Sequence, residues 1–453
     1  MRDSATLAPP INFPTDRPRA GAQPTQARTE LPAARRLVSL DAYRGFVMIL
    51  MASAGFGITP FVAHHPELNR AWHAVAYQTD HVQWRGCGLW DLIQPSFTFI
   101  VGVALPFSLA KRRASGQSFV RLTLHAIVRA LILIAIGVFL SSIWSARTNF
   151  TFVNTLVQIG LGYTFAFLLS WTTQRWQIAA IVLLLAGYWL AFALWPLPRA
   201  GFDYSAVGVS AEWYAANGLR HFSILHPFAA HWDKGTNIAA AFDRWFLNFF
   251  PRPMRFAFND GGYQTLSFIP TLATMLLGLL AGNLMQSRRS ASTKFARLIL
   301  WGIAGLAAGW ILDRTGVCPS VKRIWTPSWV LFSGGWSCLL LALFYLVVDC
   351  AQWRWIAFPM VVVGMNSIAM YFLADSGFKN KIAGALHRHL GWEVFDKISY
   401  RCNPLIEFVS RSFHRPGHTP ALSFGPLLES AATLFVLWLI CFWMYRRKIF
   451  LKI

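Results

Sequence analysis

Four histidines, His64, His65, His73 and His81, crowd one stretch of the chain, and the last sits in Thr79-Asp80-His81-Val82-Gln83-Trp84, shortly before Asp91. An imidazole suits proton transfer near neutral pH because the free side chain titrates near ~6.5. Set against a carboxylate, it can act as a general base or as a nucleophile that carries an acyl group. A surface location without chemistry is the plain alternative. A zinc site is the weaker one, since neither H-E-x-x-H nor a histidine pair at i,i+4 is present. No G-x-S-x-G, Walker A or dinucleotide-binding pattern occurs in a convincing setting.

Other polar residues fall inside or beside long apolar runs, where a charge costs ~2.5–3.5 kcal/mol on insertion scales. Asp41 and Arg44 stand at i and i+3. They form either an ion pair that anchors a helix start or the rim of a site for an anionic cofactor. His125 and Arg129 lie at a comparable depth, where reaching back to lipid headgroups is the default. Asp91 and Gln94 precede Pro95, and a carboxylate there also suits the positive end of a helix. Gln158 and Asn366 are deeper, where an amide either bridges helices or lines a polar cavity. Lys322 is either a cavity group or an ordinary loop charge.

These residues need elements to hold them, and composition says which. Of 453 residues, 55% are hydrophobic and only 13% charged, yet the net charge is +22. A disordered or acidic solvating chain is excluded. A pI near 10.4 invites a nucleic-acid reading, but the cations sit in short clusters between apolar runs rather than on one polar face. About ten runs are long enough to cross ~30 Å of hydrocarbon as helices: approximately 44–62, 90–110, 124–144, 152–171, 177–196, 264–285, 297–312, 328–349, 355–375 and 424–445. The fold class is therefore all-α and polytopic, with the lipid bilayer as a partner and no nucleic acid.

With the N-terminus inside, Lys111-Arg112-Arg113, Arg121, Arg175, Arg288-Arg289, Lys294, Arg297 and Arg446-Arg447-Lys448 all fall on the inner side, as the positive-inside rule requires. Both termini are then cytoplasmic, and the loop of His81 lies outside. Residues 1–36 are expected to form a disordered cytoplasmic tail and 37–453 the membrane domain. The large external segments are about 197–263 and 376–423, with a short amphipathic or re-entrant helix near 377–392. Cys87, Cys318 and Cys402 lie in loops between spans, where one disulfide among them is open. From the residues alone, a transporter for a sugar or peptide fits as well as an enzyme.

The ordered motifs carry a resemblance. Arg36-Leu37-Val38-Ser39-Leu40-Asp41-Ala42-Tyr43-Arg44-Gly45 resembles the R-L-x-S-x-D-x-x-R-G opening of the heparan-α-glucosaminide N-acetyltransferase family and its bacterial relatives. His81-x-x-Trp84-x-Gly86, Asp91-Leu92 and Pro95-x-Phe97-x-Phe99-Ile100-x-Gly102 are similar to the next block. Further matches are Asn154 to Tyr163 with Gln158, Ala241 to Phe246, Gly262 to Thr265, Lys322-x-x-Trp325-Thr326-x-Ser328, and Gly364-Met365-Asn366-Ser367-Ile368.

The resemblance implies a transmembrane acyltransferase that moves an acetyl group from cytosolic acetyl-CoA to a small amino-sugar acceptor on the far side. It implies His81 as the catalytic residue, as base or acyl carrier, and Asp91 as its supporting carboxylate. Asp41 and Arg44 would shape the cytoplasmic mouth for CoA. Gln158, Lys322, Trp325 and Asn366 would line the cavity, and no metal is implied. The pattern departs from the family where Gly55 replaces an Asn and Phe152 an Arg. The expected acceptor is accordingly a cell-wall or environmental amino sugar, with O-acetylation open, and the expected location a bacterial inner membrane. A homodimer is compatible with this reading.

Overall fold

The computed structural model describes residues 37–66, 68–220, 222, 227–391, 393–401 and 424–451. The expected N-terminal tail, Cys402 and the rest of 402–423 lie outside the described residues.

Seventeen α-helices are described, and side chains at their starts explain many of the boundaries. α1 (Val38–Ser53), α2 (Ile58–His64) and α3 (Arg70–Gln78) lead to the His81 loop, with Asn69 accepting from the Ala71 and Trp72 N–H groups at the start of α3. α4 (Ile93–Ala114) and α5 (Phe119–Ser142) follow, the latter capped by Ser118. α6 (Thr155–Leu169) is capped by Asn154 and precedes α7 (Gln174–Ala193). Two short helices, α8 (Ala211–Asn217) and α9 (Ile238–Phe246), punctuate the first long segment between spans. α10 (Phe268–Gln286), α11 (Ala291–Arg314) and α12 (Pro327–Phe344) come next, with proline at the start of α12, where its missing N–H costs nothing. α13 (Arg354–Gly364), α14 (Ser367–Asp375), α15 (Phe378–Leu390), α16 (Val394–Arg401) and α17 (Gly425–Arg446) complete the set.

Among the described residues, eight helical segments are long and apolar enough to cross a bilayer. A ninth, α13 with α14, is bent by 64° at its break. The remaining expected span, 152–171, contains only α6, whose 15 residues reach ~22 Å. The chain is an all-α polytopic membrane protein, but two of its ten expected spans are a broken helix and a short one. The first span also differs from a plain helix: α1 stops at Ser53, and Ala54, Gly55, Phe56 and Gly57 all have positive φ. Only glycine takes that conformation without a Cβ penalty.

α4 and α10 form the centre, with 67% and 72% of their most apolar stretches buried, against 17% for α11. They approach closely because glycines face the opposite backbone. A Cβ on Gly102 would overlap the Met275 carbonyl oxygen, and one on Gly278 that of Phe99. The same device joins α1 to α13, where Gly45 faces the Met360 carbonyl and Gly364 that of Asp41. Small residues serve this purpose in membranes, where apolar surface alone gives helices no reason to associate. The exposed faces of α5, α7 and α11 carry Leu131, Leu183, Leu300 and Ile303, as lipid contact requires.

Candidate active site

The His81 loop is built against the turn that precedes α12. Arg85 makes a bidentate pair with Asp313, 2.9 and 2.7 Å, and stacks over the Phe222 ring at 3.4 Å. Its backbone bridges Val321, while Gly86 N–H donates to the Ser320 carbonyl at 3.0 Å. The fully buried Trp84 donates its indole N–H to the Trp232 carbonyl at 3.1 Å. On the opposite wall, the Val321 N–H donates to Thr326 Oγ1 at 3.0 Å and the Trp325 N–H to the Lys322 carbonyl at 2.9 Å. Trp325 takes φ +51 in this tight turn. Two loops more than 200 residues apart are thus fixed against each other.

Their meeting point is a cluster of three side chains. His81 Nδ1 lies 2.8 Å from Asp91 Oδ1. Lys322 Nζ lies 3.2 Å from the same oxygen and 3.0 Å from His81 Nδ1. The other carboxylate oxygen of Asp91 accepts from the Gly88 and Val82 N–H groups at 3.0 and 3.3 Å. Asp91 and Lys322 are buried, whereas the His81 side chain is 39% exposed.

An ammonium only donates and an ionised carboxylate only accepts. Lys322 therefore serves Asp91, and the proton between His81 and Asp91 belongs on Nδ1. The other tautomer would set two acceptors 2.8 Å apart with no proton between them. Nε2 consequently carries a lone pair, makes no hydrogen bond to the described residues, and is the ring nitrogen left for a reacting group. Cys87, close by, is no competing nucleophile: burial, with Asp91 adding to it, pushes its thiol up to about 12. Cys87 and Cys318 are both free thiols.

Gly55 explains how the loop fits. A Cβ at this position would lie 2.7 Å from the Thr79 carbonyl oxygen, and its φ is +65. The backbone two residues before His81 thus occupies the space that a side chain at Gly55 would need.

A second feature lies along α4. A cavity of about 480 Å³ is lined by Phe97, Val101, Leu105 and Lys111 from this helix, a stripe covering ~21 Å of its length. Its apolar wall continues through Leu133, Leu156 and Ile159, and its charged end holds Asp41, Arg44, Lys111 and Arg129. Arg44 Nη1 is 3.5 Å from Asp41 Oδ1. Arg129 lies over the Tyr163 ring at 4.6 Å and donates to its hydroxyl at 3.0 Å. Its buried Nε has no hydrogen-bond partner among the described residues. Asp91, in the turn Leu89–Leu92 that leads into α4, sits six residues before Phe97, ~9 Å from the end of the cavity opposite its charged rim.

The expected site residues thus separate into three groups. His81, Asp91 and Lys322 converge, and Asp41 and Arg44 line the cavity. Gln158, Trp325 and Asn366 do not line it. Gln158 Nε2 donates to the Phe152 and Thr265 carbonyls at 2.6 and 3.2 Å, tying α6 to the start of α10. Trp325 is buried, with its indole N–H on Thr274 Oγ1 at 3.1 Å. Asn366, at the α13–α14 break, donates to the Ile449 carbonyl at 3.0 Å and accepts from the Leu451 N–H at 3.1 Å. It clamps the segment whose Phe450 and Leu451 form a cavity wall. Arg129, Lys111 and Tyr163 are cavity residues that sequence reasoning did not assign. The one signal available was the depth of Arg129 within its span. No three metal-ligating side chains converge among the described residues.

The fold and these two features define a polytopic membrane protein with an acid–base cluster at one end of a central helix and a cation-rimmed cavity along it. A family model described as a domain of unknown function, DUF5009, matches residues 36–205. Heparan-alpha-glucosaminide N-acetyltransferase of Homo sapiens is 24% identical over 92% of the chain, and that of Mus musculus 23% over 76%. The chain is a distant relative of these two proteins. It spans 60% and 54% of their lengths.

Proposed function

We propose that the protein is a transmembrane acetyltransferase that moves an acetyl group from cytosolic acetyl-CoA to an amino sugar on the opposite side. The observation that carries this reading is that the His81–Asp91–Lys322 cluster gathers at the turn Leu89–Leu92, which leads directly into α4, the helix that lines the cation-rimmed cavity. The names of the two relatives supply the reaction class.

Arg44, Lys111 and Arg129 would receive the phosphates of CoA, with the unpartnered Arg129 Nε among the donors. The apolar stripe from Leu105 to Phe97 would take the pantetheine arm, leading the thioester toward the His81 end. There, Nε2 of His81 accepts the proton of the acceptor nitrogen as that nitrogen attacks the acetyl carbonyl. The carbon–sulfur bond breaks, and its electron pair leaves on the CoA sulfur. A two-step route, in which Nε2 first takes the acetyl group with loss of the thiolate, uses the same lone pair. Asp91 holds the ring in the required tautomer in either case. In this reading both termini lie in the cytoplasm of a bacterial cell and His81 lies outside its inner membrane, an orientation supported by the cation clusters at Lys111–Arg113 and Arg446–Lys448. With Gly55 and Phe152 at positions where the family carries polar groups, a cell-wall or environmental amino sugar is the acceptor class.

Purified protein incubated with labelled acetyl-CoA and glucosamine should yield labelled acetylglucosamine. His81→Ala should abolish transfer while the protein still elutes as a folded species. Sugar uptake into vesicles without any acetyl transfer would overturn the enzyme reading, and full transfer by His81→Ala would overturn the assigned role.

A further inference from the structure

In a histidine–carboxylate pair on its own, the full carboxylate charge faces the ring and stabilises the imidazolium. Here that charge is shared. Lys322 Nζ is 3.2 Å from Asp91 Oδ1, and only 4% of Lys322 and none of Asp91 is exposed, so water does little to screen their pairing. The same ammonium is 3.0 Å from His81 Nδ1, which has no lone pair to offer when its proton points at Asp91. Towards a protonated ring, Lys322 is therefore a like charge at contact distance.

The remaining polar neighbours do not change the balance. Tyr77 reaches the cluster from α3, and Cys87 sits beside it as a neutral thiol. Asp80 is exposed and accepts the His81 backbone N–H at 2.7 Å. Arg323 donates to the Val82 carbonyl at 3.3 Å, adding a second positive charge.

We propose that Lys322 is a positioning residue that neutralises Asp91 and so keeps the His81 imidazole neutral, with its Nε2 lone pair free, at a pH where Asp91 alone would hold the ring charged. This rests on the reading of His81 as the base or acyl carrier. It gives the buried lysine a task that filling space would not require: Asp91 fixes the tautomer while Lys322 withholds the carboxylate charge from the ring.

Carbethoxylation by diethyl pyrocarbonate tests this without any acetyl donor, because only the neutral imidazole reacts. The rate at His81, resolved by peptide mass spectrometry, would be followed from pH 5 to 8 in full-length wild type, Lys322→Met and Lys322→Arg. In Lys322→Met the profile should move to higher pH by about one unit, so that the rate on its acid side falls about tenfold. Lys322→Arg, which keeps the charge, should follow wild type. A Lys322→Met profile that superimposes on wild type, or moves to lower pH, overturns the proposal. Should Lys322→Met fail to fold, Lys322→Gln makes the same comparison. An unmoved profile in a protein that transfers acetyl groups removes only the role of Lys322. A shifted profile in a protein whose His81→Ala variant still transfers removes the catalytic reading and leaves the electrostatics standing.

Discussion

At the residue scale, the division of labour around His81 follows from donor and acceptor counts. Asp91 receives His81, Lys322 and two backbone N–H groups, and each replacement of its oxygens has a definite cost. Asp91→Asn puts an amide among donors, so one buried contact becomes donor against donor. Leaving such groups unsatisfied costs ~1–3 kcal/mol. The His81 tautomer is also no longer fixed, so kcat for acetyl transfer should drop by about 10²-fold or more. Steady-state kinetics with a thermal melt separate the two effects: a melt within a degree of wild type together with unchanged kcat would remove Asp91 from the mechanism.

At the element scale, close helix contacts and the buried carboxylates of the segment between α7 and α10 set stability. Gly102→Val would drive a branched side chain into the Met275 carbonyl between α4 and α10. Overpacking of this kind costs ~1–3 kcal/mol, read as a lower melting temperature in detergent. Asp243, in α9, accepts the Thr265 N–H on both oxygens at 3.3 and 3.0 Å, just before α10. Burial nevertheless raises its carboxyl to about 6. A raised folded-state value means that the folded protein binds the proton more tightly. The contribution of Asp243 to stability therefore falls as pH rises from about 4 to about 6 and is level above that. Melting temperatures of Asp243→Asn and wild type should diverge across this window, with the variant gaining relative to wild type, and run parallel above it. A constant difference from pH 4 to 8 would contradict this account.

For the whole molecule, the cavity and the orientation are the testable properties. Arg44→Ala and Arg129→Ala remove cations from the cavity rim. If the rim binds phosphates, each should raise KM for acetyl-CoA about tenfold with kcat little changed, and a rise confined to the sugar KM would refute the assignment. Orientation is read with single cysteines in an otherwise cysteine-free protein. A cysteine at His73 should react with an impermeant maleimide in intact cells, and one at Ser115 only after permeabilisation.

Much of this architecture is legible from the sequence because apolar run length answers directly to bilayer thickness. The positions of the ten runs and the clusters at Lys111 and Arg446 needed no tertiary information. His81 and Asp91 stood out because they fall within one short ordered motif. Tertiary structure decided what depends on contacts between distant segments. Lys322, 231 residues from Asp91, was one of several candidate polar groups until the Arg85–Asp313 pair and the turn before α12 placed it on the carboxylate. Gln158 and Asn366 have the side chains of cavity residues, yet each finds backbone partners that make it a clamp. Arg129 reads as a headgroup-seeking cation, but the packing of α5 against α6 sets it over Tyr163 in the cavity. Run length and local motif depend on neighbours in sequence, which the chain states outright; which donor meets which acceptor depends on the folded path between them.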